Sequence, residues 1–126
     1  MIFKTYFDIL KFKIISLFKR RIRFTALIFN SVVAKKAAIK QHTRFYNSKI
    51  KDYSFTGRNC LIQNTEIGKF VSISDNCCTG LPMHPLDYVS TSPVFLHGKN
   101  VIRKNFAQLN FKDIDTTIIG NDVWIG

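Results

Sequence analysis

Acidic residues are nearly missing from the first part of this chain. Residues 1–51 hold thirteen of the nineteen Lys and Arg but a single acid, Asp8, whereas residues 52–126 hold six basic residues against seven acids. The net charge of +11 therefore belongs to the N-terminal part, residues 1–51, and not to the remainder, which rules out a uniformly basic domain. Cysteine is also scarce. Cys60, Cys77 and Cys78 are odd in number and two are adjacent, so they form neither a disulfide framework nor a zinc-ligand pattern. No metal is expected, and thiols used as small packing residues fit a reducing cytoplasm. Long hydrophobic runs are absent too. Lysines interrupt every apolar stretch before the ~20 residues that a membrane span requires, and no apolar run ends in a small-residue cleavage site.

The arm that opens this part has helical spacing. Phe3, Phe7, Leu10, Ile14 and Leu17 form one stripe, and Lys4, Lys11 and Lys19 fall largely away from it. This predicts a basic amphipathic helix over 1–30, for which three roles are weighed. It can cap the first structural repeat, which would otherwise expose a core face. It can lie on an anionic membrane through residues 1–23, placing a cytoplasmic protein at the inner face of that membrane. Nucleic-acid binding is the weakest of the three, because the aromatics sit on the buried stripe instead of between the charges.

Beyond the arm the chain becomes repetitive. Apolar residues recur every six positions at Phe55, Leu61, Ile67 and Ile73, and four residues later stand Asn59, Thr65, Val71 and Cys77. A period of six suits neither a helix nor an alternating strand, and hexapeptide periodicity is a signature of parallel β-helices. In such a coil the first residue points into a narrow prism and the later one must be small enough to share it. Asn59 is the weak member, tolerable on a hydrogen-bonded ladder. Ile39 and Phe45 join the lattice if about four residues are inserted before Phe55, which makes 31–54 an earlier and less regular coil. Gly57, Gly68 and Gly120 fall near hexad starts, where corners are expected to need dihedrals that a side chain penalises. An antiparallel sandwich with turns every six residues is the plainer alternative.

The repeat breaks once. It stops at Gly80 and resumes as Ile119-Gly120-Asn121-Asp122-Val123-Trp124-Ile125-Gly126, leaving an inserted loop at about 80–116. That loop carries His84-Pro85-Leu86-Asp87-Tyr88-Val89-Ser90-Thr91-Ser92-Pro93. Histidine can take and return a proton near neutral pH, and an alcohol needs a positioned base to become a useful nucleophile. Pro82 and Pro85 bracket His84 and restrict the chain around it. The base also needs its tautomer fixed. Asp87, three residues on, is one orienter, and a backbone carbonyl would serve equally well. Ser90, Thr91 and Ser92 fit a hydroxyl-rich turn or an acceptor lining. His42 and His97 read as structural or solvated.

Together the hexads, the His-Pro loop and the closing Asp-Val-Trp-Ile-Gly hexad resemble hexapeptide-repeat O-acetyltransferases, near the chloramphenicol/xenobiotic type and the enzymes that decorate polysaccharides. The resemblance covers roughly residues 35–126. It implies an all-β, left-handed parallel β-helix over 31–126 with a protruding loop, assembled as a homotrimer with active sites between subunits. It implies that His84 deprotonates a sugar or glycan hydroxyl that attacks acetyl-CoA, and that Trp124 lines the acyl-donor channel. Members of this family continue for several coils after the closing hexad, so the resemblance also implies a C-terminally truncated chain. The alternative function is a non-catalytic β-helix scaffold or an inactive truncated fragment of such an enzyme.

Overall fold

The structure is a computed structural model and describes residues 21–107 and 111–126. Most of the arm, residues 1–20, lies outside the described residues. The rest divides into a coil body, residues 21–81 with 116–126, and an inserted unit, Pro82–Asp115.

The coil body is a left-handed parallel β-helix. Its twelve short strands run in order as β1 (Leu27–Phe29), β2 (Val32–Val33), β3 (Ala38–Ile39), β4 (Arg44–Tyr46), β5 (Lys49–Ile50), β6 (Phe55–Thr56), β7 (Leu61–Gln63), β8 (Thr65–Ile67), β9 (Ser72–Ile73), β10 (Cys78–Thr79), β11 (Thr117–Ile119) and β12 (Trp124–Ile125). They stack into three parallel sheets, β1-β4-β7-β10, β2-β5-β8-β11 and β3-β6-β9-β12, so each coil contributes one strand to each side of the prism. Three columns of large side chains fill the interior. Ile28, Phe45, Ile62 and Thr79 stack on one side, Val33, Ile50, Ile67 and Ile119 on the second, and Ile39, Thr56, Ile73 and Ile125 on the third.

The register corrects the strict six-residue beat. Stacked residues are 17 apart, as in the pair Lys49–Glu66, so one coil is one residue short of three hexads. The core residues Phe45, Ile50, Thr56 and Ile62 are separated by five, six and six. The short step is turned at a corner asparagine with positive φ, Asn30, Asn47 or Asn64, a conformation that asparagine tolerates better than most residues. Losing one residue moves a side chain from one face of a strand to the other. Phe55 and Leu61 are therefore only half-buried on the outer face, while Thr56 and Ile62 occupy the core. Ile39 and Phe45 are in the core with no insertion after them, and 31–54 is as regular as the later coils. Pairing also begins earlier than 31, with the bridge Ile22–Ile39 and with β1, so residues 22–29 are part of the solenoid and not of a helical arm.

Two other expectations change. Asn59 does hydrogen-bond up the stack, donating to Asn76 Oδ1 at 2.7 Å, but it does so from a corner with φ 55°, and Cys60 is the inward residue. Gly57 and Gly68 do not hold the left-handed corners, which carry Asn30, His42, Asn47, Tyr53, Asn59, Asn64, Phe70, Asn76 and Asp122. These two glycines are needed for close approach between coils. A Cβ on Gly57 would stand 2.4 Å from the Ser74 carbonyl, and one on Gly68 would stand 2.3 Å from the Gly120 oxygen.

The small inward positions hold the coils together. Thr43 Oγ1 donates to the Gly57 carbonyl at 2.8 Å and accepts from Cys60 N at 3.2 Å. Ser54 Oγ donates to the Gly68 carbonyl at 2.7 Å and accepts from Val71 N at 2.9 Å. Ser48 Oγ donates to the Tyr46 carbonyl at 2.6 Å and accepts from Thr65 N at 3.0 Å. All three cysteines are free thiols. Cys60 continues the Thr43 column, and burial pushes its thiol up, away from the reactive thiolate.

Thr56 is the exception. Its hydroxyl is buried without a hydrogen-bond partner, in the column otherwise made of Ile39, Ile73 and Ile125. An orphaned buried hydroxyl costs about 1–3 kcal/mol. Thr56→Val keeps the shape and removes the orphan, so urea unfolding should show it more stable than the parent by about 1 kcal/mol. A loss of stability would mean that the hydroxyl has a partner. A second comparison uses equivalent positions in successive coils, since Ile67 pairs with Ile119. Gly68→Ala should lower the melting temperature by several degrees through its clash with backbone, as overpacking by about 1–3 kcal/mol does. Gly120→Ala, whose Cβ would meet nothing within 4 Å, should stay within about a degree of the parent.

Candidate functional site

The inserted unit contains no strand among its described residues and one short 3-10 turn, Pro93–Phe95. Its order comes from local ties. Met83 N donates to the Asp113 carbonyl at 2.6 Å, linking the outgoing and returning ends. Tyr88 and Phe111 meet edge to face at 5.9 Å, and Phe95 and Phe106 pack at the same centroid distance.

His84 lies on the outgoing segment, exposed to solvent, with buried Pro85 beside it. Its Nδ1 is 2.9 Å from the Thr91 carbonyl oxygen. A carbonyl can only accept, so neutral His84 carries its proton on Nδ1 and presents an unprotonated Nε2. The carbonyl is itself positioned. Thr91 C=O and Ser92 N–H belong to one peptide unit, and Ser92 N donates to Ser90 Oγ at 3.1 Å. That peptide is thus held on both edges, by the Ser90 hydroxyl and by the His84 ring. This is the chemistry of an oriented base: a fixed tautomer, a fixed ring plane and a free lone pair facing water.

Asp87, the other expected orienter, is exposed, and no His84–Asp87 ion pair occurs among the described residues. Ser90 serves as the turn hydroxyl that the Ser90-Thr91-Ser92 run suggests, and through that turn it positions the peptide behind His84, a role the sequence did not assign. The signal was present, since a serine two residues before another in a turn commonly binds the backbone N–H ahead of it.

Trp124 lies in the coil body on β12. It pairs with Ser72 and is 80% exposed on the outer face. The backbone of Gly126 passes close to its ring, for a Cβ there would stand 2.9 Å from Trp124 Cζ2. His42 occupies a coil corner at φ 58°, where its N–H donates to Thr25 Oγ1 at 3.2 Å, which is a structural role. Among the described residues no group of three or more His, Cys, Asp or Glu could hold a metal ion, and no helix is long and apolar enough to cross a membrane.

Comparisons with protein-family models, with curated proteins and with solved structures returned no match.

The tautomer is directly testable. In a 15N-labelled sample held above the histidine titration range, long-range 1H–15N spectra should show His84 as the Nδ1–H form, and Asp87→Asn should leave that pattern unchanged. An Nε2–H form, or a switch of tautomer in Asp87→Asn, would contradict the Thr91 hydrogen bond.

Proposed function

We propose that this chain is an acetyltransferase of the hexapeptide-repeat kind, moving an acetyl group from acetyl-CoA to a hydroxyl of a sugar or polysaccharide precursor. The observation that carries the reading is His84, with Nδ1 committed to the Thr91 carbonyl and Nε2 left as a proton acceptor. The left-handed parallel β-helix, interrupted once to carry that histidine, supports it as the scaffold the sequence motifs imply.

In this reading Nε2 of His84 takes the proton of the acceptor hydroxyl as the oxygen attacks the thioester carbonyl. The C–S bond then breaks, the proton passes to the departing thiolate, and the products are the acetyl ester and free CoA. For the acyl donor, the relevant feature of this chain is the exposed ring of Trp124, which can pack against the apolar or aromatic parts of acetyl-CoA. We assign it that role, and propose the homotrimer as the assembly in which the reaction runs.

The test is thiol release and acetyl-ester formation with acetyl-CoA and a panel of sugar acceptors. His84→Ala should lower the rate by about 10²–10⁴-fold, the usual contribution of a positioned base, without changing the melting temperature. Undiminished transfer in His84→Ala would remove His84 from catalysis. Absence of any turnover in the parent chain across the panel would favour a non-catalytic scaffold.

A further inference from the structure

The second half of the inserted unit holds a feature that the acetyl-transfer reading leaves unused. Gly98, Lys99, Asn100, Arg103, Lys104 and Asn105 line a pocket of about 490 Å³. Three of the six are cations, none is acidic, and no ion pair to Lys99, Arg103 or Lys104 occurs among the described residues. Of the acids in this unit, Asp115 is engaged by Lys112 at 3.1 Å.

The turn that presents these cations is tied down by its two asparagines. Asn100 Nδ2 donates to the carbonyls of Pro93 at 2.9 Å and Lys104 at 2.8 Å, while its Oδ1 accepts from Ile102 N at 3.0 Å. Asn105 Nδ2 donates to the carbonyls of Leu96 at 2.8 Å and Gly98 at 2.7 Å. Both amides are spent on backbone carbonyls, so the cations sit on a braced frame. Lys104 Nζ lies 5.1 Å from the centre of the Phe106 ring.

At the tip of the same turn stand two aliphatic side chains. Val101 is 94% exposed and Ile102 57%. A pocket for a free phosphate explains the cations but leaves two β-branched apolar residues in water on the same turn. A surface that is anionic at its rim and apolar beneath answers both observations.

We propose that the 98–105 turn docks on an anionic phospholipid surface. Val101 and Ile102 enter the boundary between headgroups and acyl chains, and Lys99, Arg103 and Lys104 meet lipid phosphates. The proposal does not rest on acetyl transfer and involves residues separate from the basic N-terminal arm.

The test places a reporter at the tip of the full chain, Val101→Trp with Trp124→Phe so that only one indole is present. Vesicles containing phosphatidylglycerol should shift its emission to the blue, and brominated acyl chains should quench it. Vesicles of phosphatidylcholine alone should do neither. Neutralising the rim with Lys99→Gln, Arg103→Gln and Lys104→Gln should raise the lipid concentration needed by at least about tenfold, since each cation near an anionic bilayer is worth roughly a fivefold change in partitioning. The signal is local to the turn, so attachment through residues 1–20 does not produce it. Co-flotation without the blue shift would overturn the proposal, as would an equal shift on phosphatidylcholine. Saturable binding of inorganic pyrophosphate that needs the three cations, with no response to lipid, would make the pocket a free-phosphate site instead.

Discussion

The coil body depends on how its interior corners are closed. A parallel β-helix turns a corner three times per coil, and at each corner backbone N–H and C=O groups leave the strand ladder inside a space that admits no water. An unpaired buried amide costs about 1–3 kcal/mol, so each corner needs a partner. Here the partner is a small side chain of a neighbouring coil. Thr43, Ser48 and Ser54 each donate one hydroxyl proton to a carbonyl and accept one N–H from the next coil. One hydroxyl thus answers a corner amide and joins two layers. In Thr43 and Ser54 it also takes up a corner carbonyl of the next coil, whereas the Tyr46 carbonyl bonded by Ser48 lies in the same coil and also accepts from Asn64 N. The consequence for packing is direct. Because the corner residue must be small and often polar, the apolar filling falls to one large residue per side, the Ile and Phe columns of the three sheets.

That constraint explains what could be read in the sequence. The existence of a repeat, its prism and the place where it breaks were visible because Ile67 and Ile73 are true core positions and their spacing is six. The phase further upstream was not. Leu61-Ile62 puts two apolar residues side by side, and in Phe55-Thr56 the more apolar of the two faces outward. Hydrophobicity alone chooses wrongly there. The better guide was polar: asparagines at 30, 47 and 64 and the small residues Thr43, Cys60 and Cys77 all recur at 17. Asn30 donates to Asn47 at 2.8 Å, so the corner asparagines also bond to one another up the stack. Glycine misled for a related reason. The left-handed corners are met most often by asparagine, with Gly80 the one glycine of the described coil residues at positive φ, whereas Gly57 and Gly68 stand where one coil presses on the next.

The same limit applies to the site. His84 was legible as a histidine in an interruption between prolines. Its partner was legible only as a choice between Asp87 and a backbone carbonyl, because a carbonyl has no residue identity and the sequence does not say which residue supplies it. Whether residue 91 supplies its carbonyl depends on how the chain folds back between Pro85 and Pro93. Ser90, which holds the Thr91–Ser92 peptide, is the trace that this geometry leaves in the sequence.

A carbonyl orienter has chemical consequences for the proposed reaction. A carboxylate behind the imidazole would fix the tautomer and also stabilise the cation formed when Nε2 takes a proton. The Thr91 carbonyl fixes the tautomer and ring plane but brings only a dipole to the forming charge. The imidazolium must then be short-lived, and thioester chemistry suits that requirement. A thiolate leaves readily and accepts the proton back, so the base is regenerated in the step that expels the leaving group. Precise placement of the ring matters more in this arrangement than a strong base does. The structure supplies placement in abundance, through the bracketing prolines, the doubly held peptide and the tie between Met83 and Asp113 that fixes the two ends of the insert.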